Sequence, residues 1–589
     1  MRVMYGSVLT VVPPSRSRDL VVLLSIASIA ILAGLGNGTF WEPDEPRFAE
    51  ATRQMFARGD FVTPYLNGVP RFEKPILFYW AQATAFTAFG DNEFAARLPS
   101  AIAGVGSVLV LYLLVVEIAS RRAAFVAALV MATMFRFVTF ARIGLTDVPV
   151  MFFVIAALYG FIRAVEPSCG GDRQSGPASA GPPASRATAA WAFVAWVCIG
   201  LGMLTKGPVG LLSVVIWAMY AAFSRNWSVF ARTRPLIGMT LALAIALPWY
   251  VVMAVQHGRA FTDFALGHEI VERMLSEESF GAPARGFFYY FKIWPGDAAP
   301  WSALFVASIG WTAWRWSSLD RGARQAVMFA AAWFISVFLV FSVSRSKVPH
   351  YVLPAYPAAA VLIGLFVDRL ADTRDDALWW GAPMVVVAIA SILAAAATAL
   401  FLDVLTPGDS IVKWLVPGVF TIGAAAIAAG IWKRALVPAV YALTAMLAAV
   451  FALTGVFVVP RIIEPFKPMP LLARQASEFS QGDAPIGLLG RYGLSSLIYY
   501  SRRHVVALDG DDQTIMFLST HPGAVCVMPM SDFERLAPRL RGFDRIAVAE
   551  EFNVRIERLL ERQRTPGRLW VLVGHPAVAS TARQRPSKS

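Results

Sequence analysis

The chain has 589 residues, of which 57% are hydrophobic and only 15% are charged, and it contains 18 tryptophans. This composition excludes a large soluble enzyme and is typical of a polytopic membrane protein. The formal net charge of +13 raises the question of nucleic-acid binding. However, the basic residues concentrate in every second loop between apolar runs, which is the positive-inside pattern of membrane proteins, so we expect no nucleic-acid partner.

Apolar runs recur along most of the chain, and about thirteen of them are candidates for crossing roughly 30 Å of hydrocarbon as helices. The predicted spans are residues 20–36, 92–116, 123–140, 147–162, 189–204, 209–223, 236–255, 296–314, 325–342, 351–367, 378–402, 412–431 and 436–458. The first run is followed by no small-residue cleavage site, so we interpret it as a retained signal anchor.

The distribution of charge predicts the orientation. Arg16 and Arg18 precede the first span, and the basic loops that alternate after it place the N-terminus in the cytoplasm. An odd number of spans then puts the C-terminal segment outside the cytoplasm. Of the three cysteines, only Cys526 falls in that exported segment, so no disulfide is expected within the chain.

Three segments interrupt the rhythm of short loops. Residues 37–91 and 256–295 form long outer loops, and residues 459–589 form a tail of domain size. The tail alternates short apolar runs with helix-like stretches, which predicts a small α/β domain after a transmembrane domain of residues 1–458. The insert at 166–189 is rich in Gly, Pro, Ser and Ala, which is typical of a flexible linker.

The first outer loop begins with closely spaced charges. The segment "DEPRFAEATRQMFARGD" predicts an amphipathic helix with Asp44 as its N-cap, Pro46 in its first turn and Gly59 at its exit. The next stretch, "PRFEKPILFYWAQATAFTAFG", starts polar and becomes apolar and aromatic, which predicts an interfacial helix or a partial span.

The unusual charged residues of the chain converge on the outer side, which is what a site would produce. They are Asp44, Glu45, Arg47, Glu73, Lys74, Asp147, Lys206, His268, Arg273 and Lys347. Several also have structural explanations. Asp44 and Asp147 suit helix N-caps, Lys206 suits a side chain that reaches from a helix end to the interface, and Glu73 with Lys74 suits a solvated pair.

Specific motifs carry a family resemblance. They are "WEPDEPRFAEATRQMF", "PRFEKPILFYW", "LTDVP", "TKGPVG", "HEIVERM" and "SKVPHYVLPAYP", in this order. Over roughly residues 20–460 the chain resembles the polyprenyl-phosphate-sugar-dependent membrane glycosyltransferases of the GT-C type, and most of all the bacterial 4-amino-4-deoxy-L-arabinose transferases that modify lipid A. Protein O-mannosyltransferases are related. The resemblance implies a polytopic α-helical GT-C fold with a periplasmic C-terminal α/β domain.

The resemblance also implies roles for individual residues. The leaving group of such enzymes is a phosphate anion, which needs cationic stabilisation. Arg suits phosphate by bidentate donation, and Lys suits it as a point charge. The residues that match family positions around the donor phosphate are Arg47, Lys74, Arg273 and the hydroxyl donor Tyr351. Lys206 matches a position at the phosphate of the donor or of the acceptor.

The remaining implied residues are acidic or metal-binding. Glu73 and His268 match positions associated with a divalent metal, for which zinc suits the ligand types, and no nucleotide cofactor is implied. Asp44 and Asp147 match acidic residues that face the reacting centre. A hydroxyl acceptor needs a base such as Asp44, whereas a phosphate acceptor needs only positioning.

These inferences predict a monomeric inner-membrane enzyme with its active site on the periplasmic side. It moves a sugar such as 4-amino-4-deoxy-L-arabinose from undecaprenyl phosphate to lipid A or another lipid-linked acceptor, with inversion. A transferase of the same fold that glycosylates a protein or a polysaccharide lipid is the alternative within the class. A transporter is the alternative outside it, but that class predicts charges near mid-membrane and repeat symmetry, and the sequence shows neither.

Overall fold

The computed structural model describes residues 14–165, 186–265, 267, 278–279, 282–283, 285–371, 376–405, 410–553 and 555–575. The helices are α1 Pro14–Leu32, α2 Asp44–Arg58, α3 Leu77–Phe89, α4 Glu93–Ile118, α5 Arg121–Ala132, α6 Phe135–Ala141, α7 Asp147–Val165, α8 Arg186–Lys206, α9 Leu212–Phe223, α10 Ser228–Ala231, α11 Pro235–His257, α12 Arg259–Thr262, α13 Tyr289–Asp297, α14 Ser302–Trp314, α15 Arg321–Val343, α16 Tyr356–Leu370, α17 Ala377–Leu405, α18 Ser410–Trp432, α19 Leu436–Leu453, α20 Pro468–Phe479, α21 Leu494–Ser501, α22 Asp511–Thr520, α23 Met530–Leu536 and α24 Ile556–Leu560. The strands are β1 Tyr65–Leu66, β2 Val69–Pro70, β3 Glu278–Ser279, β4 Ala282–Pro283, β5 Ile486–Leu489, β6 Val505–Leu508, β7 Val525–Pro529, β8 Asp544–Glu550 and β9 Leu569–Gly574.

The helices confirm a polytopic membrane protein. Within the described ranges, nine helices are long and apolar enough to cross a membrane, or ten if α5 and α6, which meet at a bend of 64°, form one span. Every predicted span overlaps a helix, but the count of thirteen is not confirmed. Residues Ala187–Phe223 join two predicted spans into one element, and Ser302–Trp314 is shorter than the others. Most of the predicted linker, residues 166–185, lies outside the described residues.

Small residues allow the helices of the bundle to pack closely. A Cβ atom added at Gly364 on α16 would lie 2.4 Å from the backbone oxygen of Ala123 on α5. One added at Gly160 on α7 would lie 2.9 Å from the Cβ of Ala195 on α8. In hydrocarbon, where lipid is as apolar as the side chains, such close approach of backbones provides much of the packing energy.

The first outer loop folds largely as its sequence predicts. Helix α2 ends at Gly59, whose left-handed φ of 66° and backbone N–H close the last turn. Phe48 and Met55 are buried, as the amphipathic pattern requires. One detail is wrong: Pro43 occupies the cap position and no side chain caps the helix, so Asp44 is the first helical residue and its carboxylate is not used as a cap.

The C-terminal segment forms the predicted α/β structure. Its five strands lie in the order β6-β5-β7-β9-β8, with β5 parallel to both β6 and β7, and β9 antiparallel to both β7 and β8. One face of the sheet packs against α20 and α21, and the other packs against α22 and α23. Trp570 on β9 is 1% exposed. Because helices cover both faces of the sheet, the sequences of its central strands are continuous apolar runs.

The first outer loop also contacts the C-terminal sheet domain directly. The turn between β1 and β2 presents Asn67, whose side chain donates to and accepts from the backbone of Val505 at 2.8 and 3.1 Å. The hydroxyl of Tyr500 on α21 accepts from the backbone N–H of Phe40 at 2.8 Å and donates to Glu93 at 2.7 Å. These bonds attach the sheet domain to the loop that carries Asp44.

Candidate active site

A buried ion pair fixes the start of helix α2. The guanidinium of Arg97 on α4 donates to both carboxylate oxygens of Glu45 at 2.7 and 3.0 Å, and both side chains are nearly inaccessible. Glu45 also accepts from the backbone N–H of Trp41 and of Gly144, each at 2.9 Å. Because Gly144 lies three residues before Asp147, Glu45 holds the starts of α2 and α7 next to each other.

Asp44 and Arg47 are exposed beside this anchor. Arg47 Nη1 lies 3.3 Å from Asp44 Oδ1, and the two side chains are 34% and 47% exposed. Arg47 also donates from Nε to the hydroxyl of Ser495 at 3.1 Å. Exposed ion pairs of this kind are weak, so a substrate can replace one partner at little cost. Because both side chains are also open to solvent, both charged groups are accessible to a substrate.

The loop before α3 brings a second charged group. Arg71 is 5% exposed and donates to Glu73 at 2.8 Å, and the ammonium of Lys74 donates to the backbone oxygen of Glu73 at 2.8 Å. Burial opposes ionisation of Glu73, but the charges of Arg71 and Lys74 outweigh it and lower the pKa of Glu73 from 4.5 to about 2. This carboxylate is therefore ionised throughout the physiological range.

A third group lies where α7, α8 and the turn before α16 meet. Lys206 Nζ donates to Asp147 Oδ1 at 2.6 Å, with the two side chains 13% and 9% exposed. The same carboxylate oxygen is 3.8 Å from His350 Nε2, and the Lys206 ammonium lies 5.4 Å from the centre of the Tyr351 ring. Lys206 therefore belongs to a largely buried ion pair and does not take the interfacial position that the end of a membrane helix also suits.

The three groups form one cluster. Arg47 is close enough to Glu73 to influence the ionisation of that carboxyl group. Lys74 is likewise close enough to influence the ionisation of Asp147. Asp44 and His350 also interact electrostatically. The sequence-predicted residues that the structure brings together are Asp44, Arg47, Glu73, Lys74, Asp147, Lys206 and Tyr351. His268 and Arg273 lie outside the described residues.

A cavity of about 340 Å³ opens beside the cluster. Its polar lining includes the side chains of Lys74, Lys206 and Tyr351. The rest of its wall is mainly apolar: Phe72, Val209, Leu211, Leu212, Val215, Trp249, Phe261, Val340 and Phe341. An apolar wall with two ammonium groups suits an amphiphile that has a hydrocarbon chain and an anionic head.

Two residues of the cluster were not singled out from the sequence. Arg71 precedes Glu73 by two residues in "PRFEKP". Its ion pair with Glu73 depends on the conformation of the loop, which the sequence does not show. A single histidine such as His350 is a weak signal in a sequence, although this one directly precedes Tyr351. The structure stacks the His350 ring near Phe140, with centroids 4.7 Å apart, and directs its Nε2 toward Asp147.

Comparison with solved structures identifies the fold. The crystal structure of ArnT from Cupriavidus metallidurans bound to undecaprenyl phosphate aligns over 94% of this chain and 98% of its own, with a TM-score of 0.67 and 24% identity. Its apo form gives a TM-score of 0.69. The chain has the GT-C fold. The archaeal oligosaccharyltransferase AglB from Archaeoglobus fulgidus shares it more distantly, with a TM-score of 0.52 over 88% of this chain and 70% of its own at 15% identity.

Sequence comparisons agree with this GT-C fold and confirm the family resemblance. A family model for dolichyl-phosphate-mannose-protein mannosyltransferases matches residues 20–260. The undecaprenyl phosphate-alpha-4-amino-4-deoxy-L-arabinose arabinosyl transferase of Edwardsiella ictaluri is 28% identical over 57% of each chain. A second such transferase, from Pseudomonas fluorescens, is 30% identical over 59% of this chain and 56% of its own. The matched part is thus less than two thirds of these relatives.

Proposed function

We propose that this protein transfers a sugar from an undecaprenyl phosphate donor to a lipid acceptor such as lipid A. The observation that carries the proposal is the apolar cavity with Lys74, Lys206 and Tyr351 in its wall. The names of its relatives add the donor class and a candidate sugar, 4-amino-4-deoxy-L-arabinose. An apolar wall accepts the first isoprene units, and the two ammonium groups accept the phosphate.

Cations near the cavity match the charge that develops during transfer. As the bond between the sugar and the donor phosphate breaks, negative charge increases on the phosphate oxygen that leaves. Lys74 and Lys206 act there as point charges, Tyr351 donates a hydrogen bond, and Arg47 and Arg273 supply guanidinium groups. Asp147 holds the Lys206 ammonium at 2.6 Å, which makes it a positioning residue in this arrangement.

Asp44 is the group that we assign to the acceptor. Its carboxylate is not used in capping, is half-exposed, and forms a weak ion pair with Arg47. With a hydroxyl acceptor it removes the proton as the oxygen attacks the anomeric carbon, whereas with a phosphate acceptor it only orients the nucleophile. A single displacement of this kind inverts the anomeric configuration.

The divalent metal remains a proposal, with zinc held by Glu73 and His268. Among the described residues, no group of three or more His, Cys, Asp or Glu side chains is placed to hold a metal ion. Of the two proposed ligands, only Glu73 is among the described residues, and it is paired with Arg71 and adjoins Lys74, which is a cationic setting. We derive no step through the metal. Elemental analysis of purified protein, with and without Glu73→Gln, tests this assignment.

The setting of the reaction is part of the proposal, and the positive-inside pattern supports its orientation. We propose a monomer in the bacterial inner membrane with a cytoplasmic N-terminus and with the active site and residues 459–589 on the periplasmic side. The separate hydrophobic cores of the sheet domain support this division from residues 1–458. A cysteine-accessibility test with a membrane-impermeant thiol reagent at Asp483→Cys checks the orientation, because Asp483 is exposed in that domain.

The proposal is tested by mass spectrometry of lipid A and of polyprenyl-phosphate sugars in cells with and without the gene. In cells without the gene, we expect the modified lipid A to disappear and the undecaprenyl phosphate that carries the sugar to accumulate. Lys74→Ala should reproduce the loss, whereas Lys433→Ala, an exposed lysine outside the cluster, should restore modification. Unchanged lipid A together with an altered glycoprotein profile would refute the lipid acceptor and favour a protein acceptor.

A further inference from the structure

A second cavity lies in the sheet domain. It has a volume of about 430 Å³ and opens at the edge where β5, β6 and β7 end, between Leu489, Leu508 and Pro529. We call this cavity the sheet-edge crevice. None of the residues that line it belongs to the candidate active site around Asp44 and Lys206.

The topology of the sheet makes this edge a suitable place for a ligand. The chain leaves β5 for β6 on one side and then crosses to β7 on the other side. In parallel sheets, such a reversal of strand order leaves a gap between the loops that follow the strands, and ligands bind in that gap at the carboxyl ends. The volume of the crevice is within the usual range for small-molecule sites.

The lining of the crevice combines an aromatic surface with both kinds of charge. Tyr492 stacks on the buried Trp570, with ring centroids 5.5 Å apart and planes 21° apart, and half of Tyr492 is exposed. The charged residues that line the crevice are Arg491, Asp509, Asp511, Asp532, Arg535 and Arg568.

Some of these charges are engaged with one another and others are open to solvent. Arg535 forms ion pairs with Asp511 and Asp532. Arg491 and Asp509 are separated by 3.7 Å, and their side chains are 78% and 60% exposed, so their mutual attraction is weak. The exposed Arg568 lies over the ring of Trp570 at 4.9 Å.

This set of groups matches a phosphorylated saccharide. The apolar face of a sugar ring packs on an exposed aromatic ring, a carboxylate such as Asp509 accepts hydrogen bonds from vicinal hydroxyls, and guanidinium groups such as Arg491 and Arg568 bind a phosphate. Asp509 directly follows β6, the second strand of a β-α-β unit. An acidic residue at that position binds a sugar diol in other doubly wound sheets.

One short segment connects the sheet-edge crevice to the candidate active site. After Tyr492 the chain enters α21, where Ser495 accepts a hydrogen bond from Arg47 and the backbone N–H of Ser496 donates to Glu42. The carboxylate of Glu42 is also close enough to Tyr492 to affect its ionisation. The crevice therefore adjoins the loop that carries Asp44 and Arg47.

We propose that the sheet-edge crevice binds the phosphosaccharide headgroup of the lipid acceptor while the reacting group lies at Asp44. The ligand class rests on the crevice itself, and its assignment to the acceptor rests on the proposed transfer function. The crevice thereby selects acceptors by a part of the molecule that does not react.

The test uses the full-length protein in detergent micelles and glucosamine 6-phosphate as the probe, measured by isothermal titration calorimetry. We expect saturable binding, and we expect the Arg491→Gln/Arg568→Gln variant to weaken it at least about tenfold, because hydrogen bonds to charged groups are strong. Arg541→Gln and Asp483→Asn serve as matched controls. Both residues are exposed at the opposite edge of the sheet and should leave binding unchanged.

A kinetic arm tests the source of the headgroup. With diphosphorylated lipid A as acceptor, the double arginine variant should raise KM about tenfold and leave kcat unchanged. Lipid A in micelles should also displace glucosamine 6-phosphate from the wild-type protein.

The outcomes separate the two proposals. No saturable binding to the wild-type protein, or equal weakening in the control variants, overturns the sheet-edge crevice as a phosphosaccharide site. Binding of the free sugar phosphate without competition by lipid A, and with an unchanged KM, overturns the acceptor assignment and leaves a site for soluble sugar phosphates. Normal binding in a protein that transfers no sugar overturns the transfer function alone.

Discussion

The buried pair between Glu45 and Arg97 predicts a large effect from a single isosteric substitution. Glu45→Gln keeps the shape of the side chain but removes its charge, so Arg97 loses the carboxylate that it contacts at 2.7 and 3.0 Å. At an effective dielectric constant of about 20, two unit charges at that distance attract by about 6 kcal/mol. Arg97 keeps three backbone carbonyl acceptors, on Leu35, Gly38 and Thr39.

Those remaining bonds offset part of the loss, so we expect Glu45→Gln to lower the free energy of unfolding by about 3–5 kcal/mol. Thermal unfolding in detergent, followed by the fluorescence of a thiol-reactive dye, measures the effect. Glu557→Gln, an exposed residue of the sheet domain, is the matched control.

A double-mutant cycle isolates the pair itself. Arg97→Met combined with Glu45→Gln removes the unpaired buried charge, so the double variant should unfold closer to the wild type than Glu45→Gln does. If Glu45→Gln unfolded at the wild-type temperature, or if the two single effects simply added, the inference that this pair anchors the site would be wrong.

Three other predictions concern the candidate active site. Asp44→Asn should reduce transfer to a hydroxyl acceptor at least about 100-fold without destabilising α2, because a general base is lost and no helix cap is; initial rates and thermal unfolding measure the two effects. Lys206→Met should destabilise the protein by about 3–5 kcal/mol, because it leaves Asp147 buried without its cation. The yield of folded protein and the rate of sugar transfer should therefore both fall in this variant. The pKa of Glu73 falls from 4.5 unfolded to about 2 folded, so its ionised form stabilises the fold above pH 4.5 and that contribution disappears as the pH falls to 2; in Glu73→Gln, unfolding curves between pH 5 and 2 should therefore lose part of this acid dependence.

The sequence was sufficient for the helical membrane architecture, because the apolar runs and the alternation of basic loops follow from the cost of placing polar groups in hydrocarbon. It also located the charged residues of the site, since charges beside membrane segments are rare. The number of spans could not be read in the same way. Whether Gly207–Leu211 separates two helices or continues one element depends on tertiary packing and not on hydropathy.

The partners of those charged residues were beyond the sequence. Asp147 and Lys206 are 59 residues apart, and Glu45 and Arg97 are 52 residues apart. With one sequence and no fold, no rule pairs such residues. Local rules offer only a helix cap for Asp44 and an interfacial position for Lys206 as alternatives to a role in the site. The sequence assigned no role to Glu45, and this residue proves to be the anchor between α2 and α7.

The two acid–base pairs of the site differ in a way that suits different tasks. Lys206 and Asp147 are buried and only 2.6 Å apart, so separating them is costly and Lys206 keeps its position in the wall of the cavity whether or not a donor is present. Arg47 and Asp44 are half-exposed and 3.3 Å apart, so little energy holds them together. A donor phosphate that binds Arg47 competes for the same guanidinium and releases the Asp44 carboxylate. In the proposed reaction, binding of the donor thus prepares the group that acts on the acceptor.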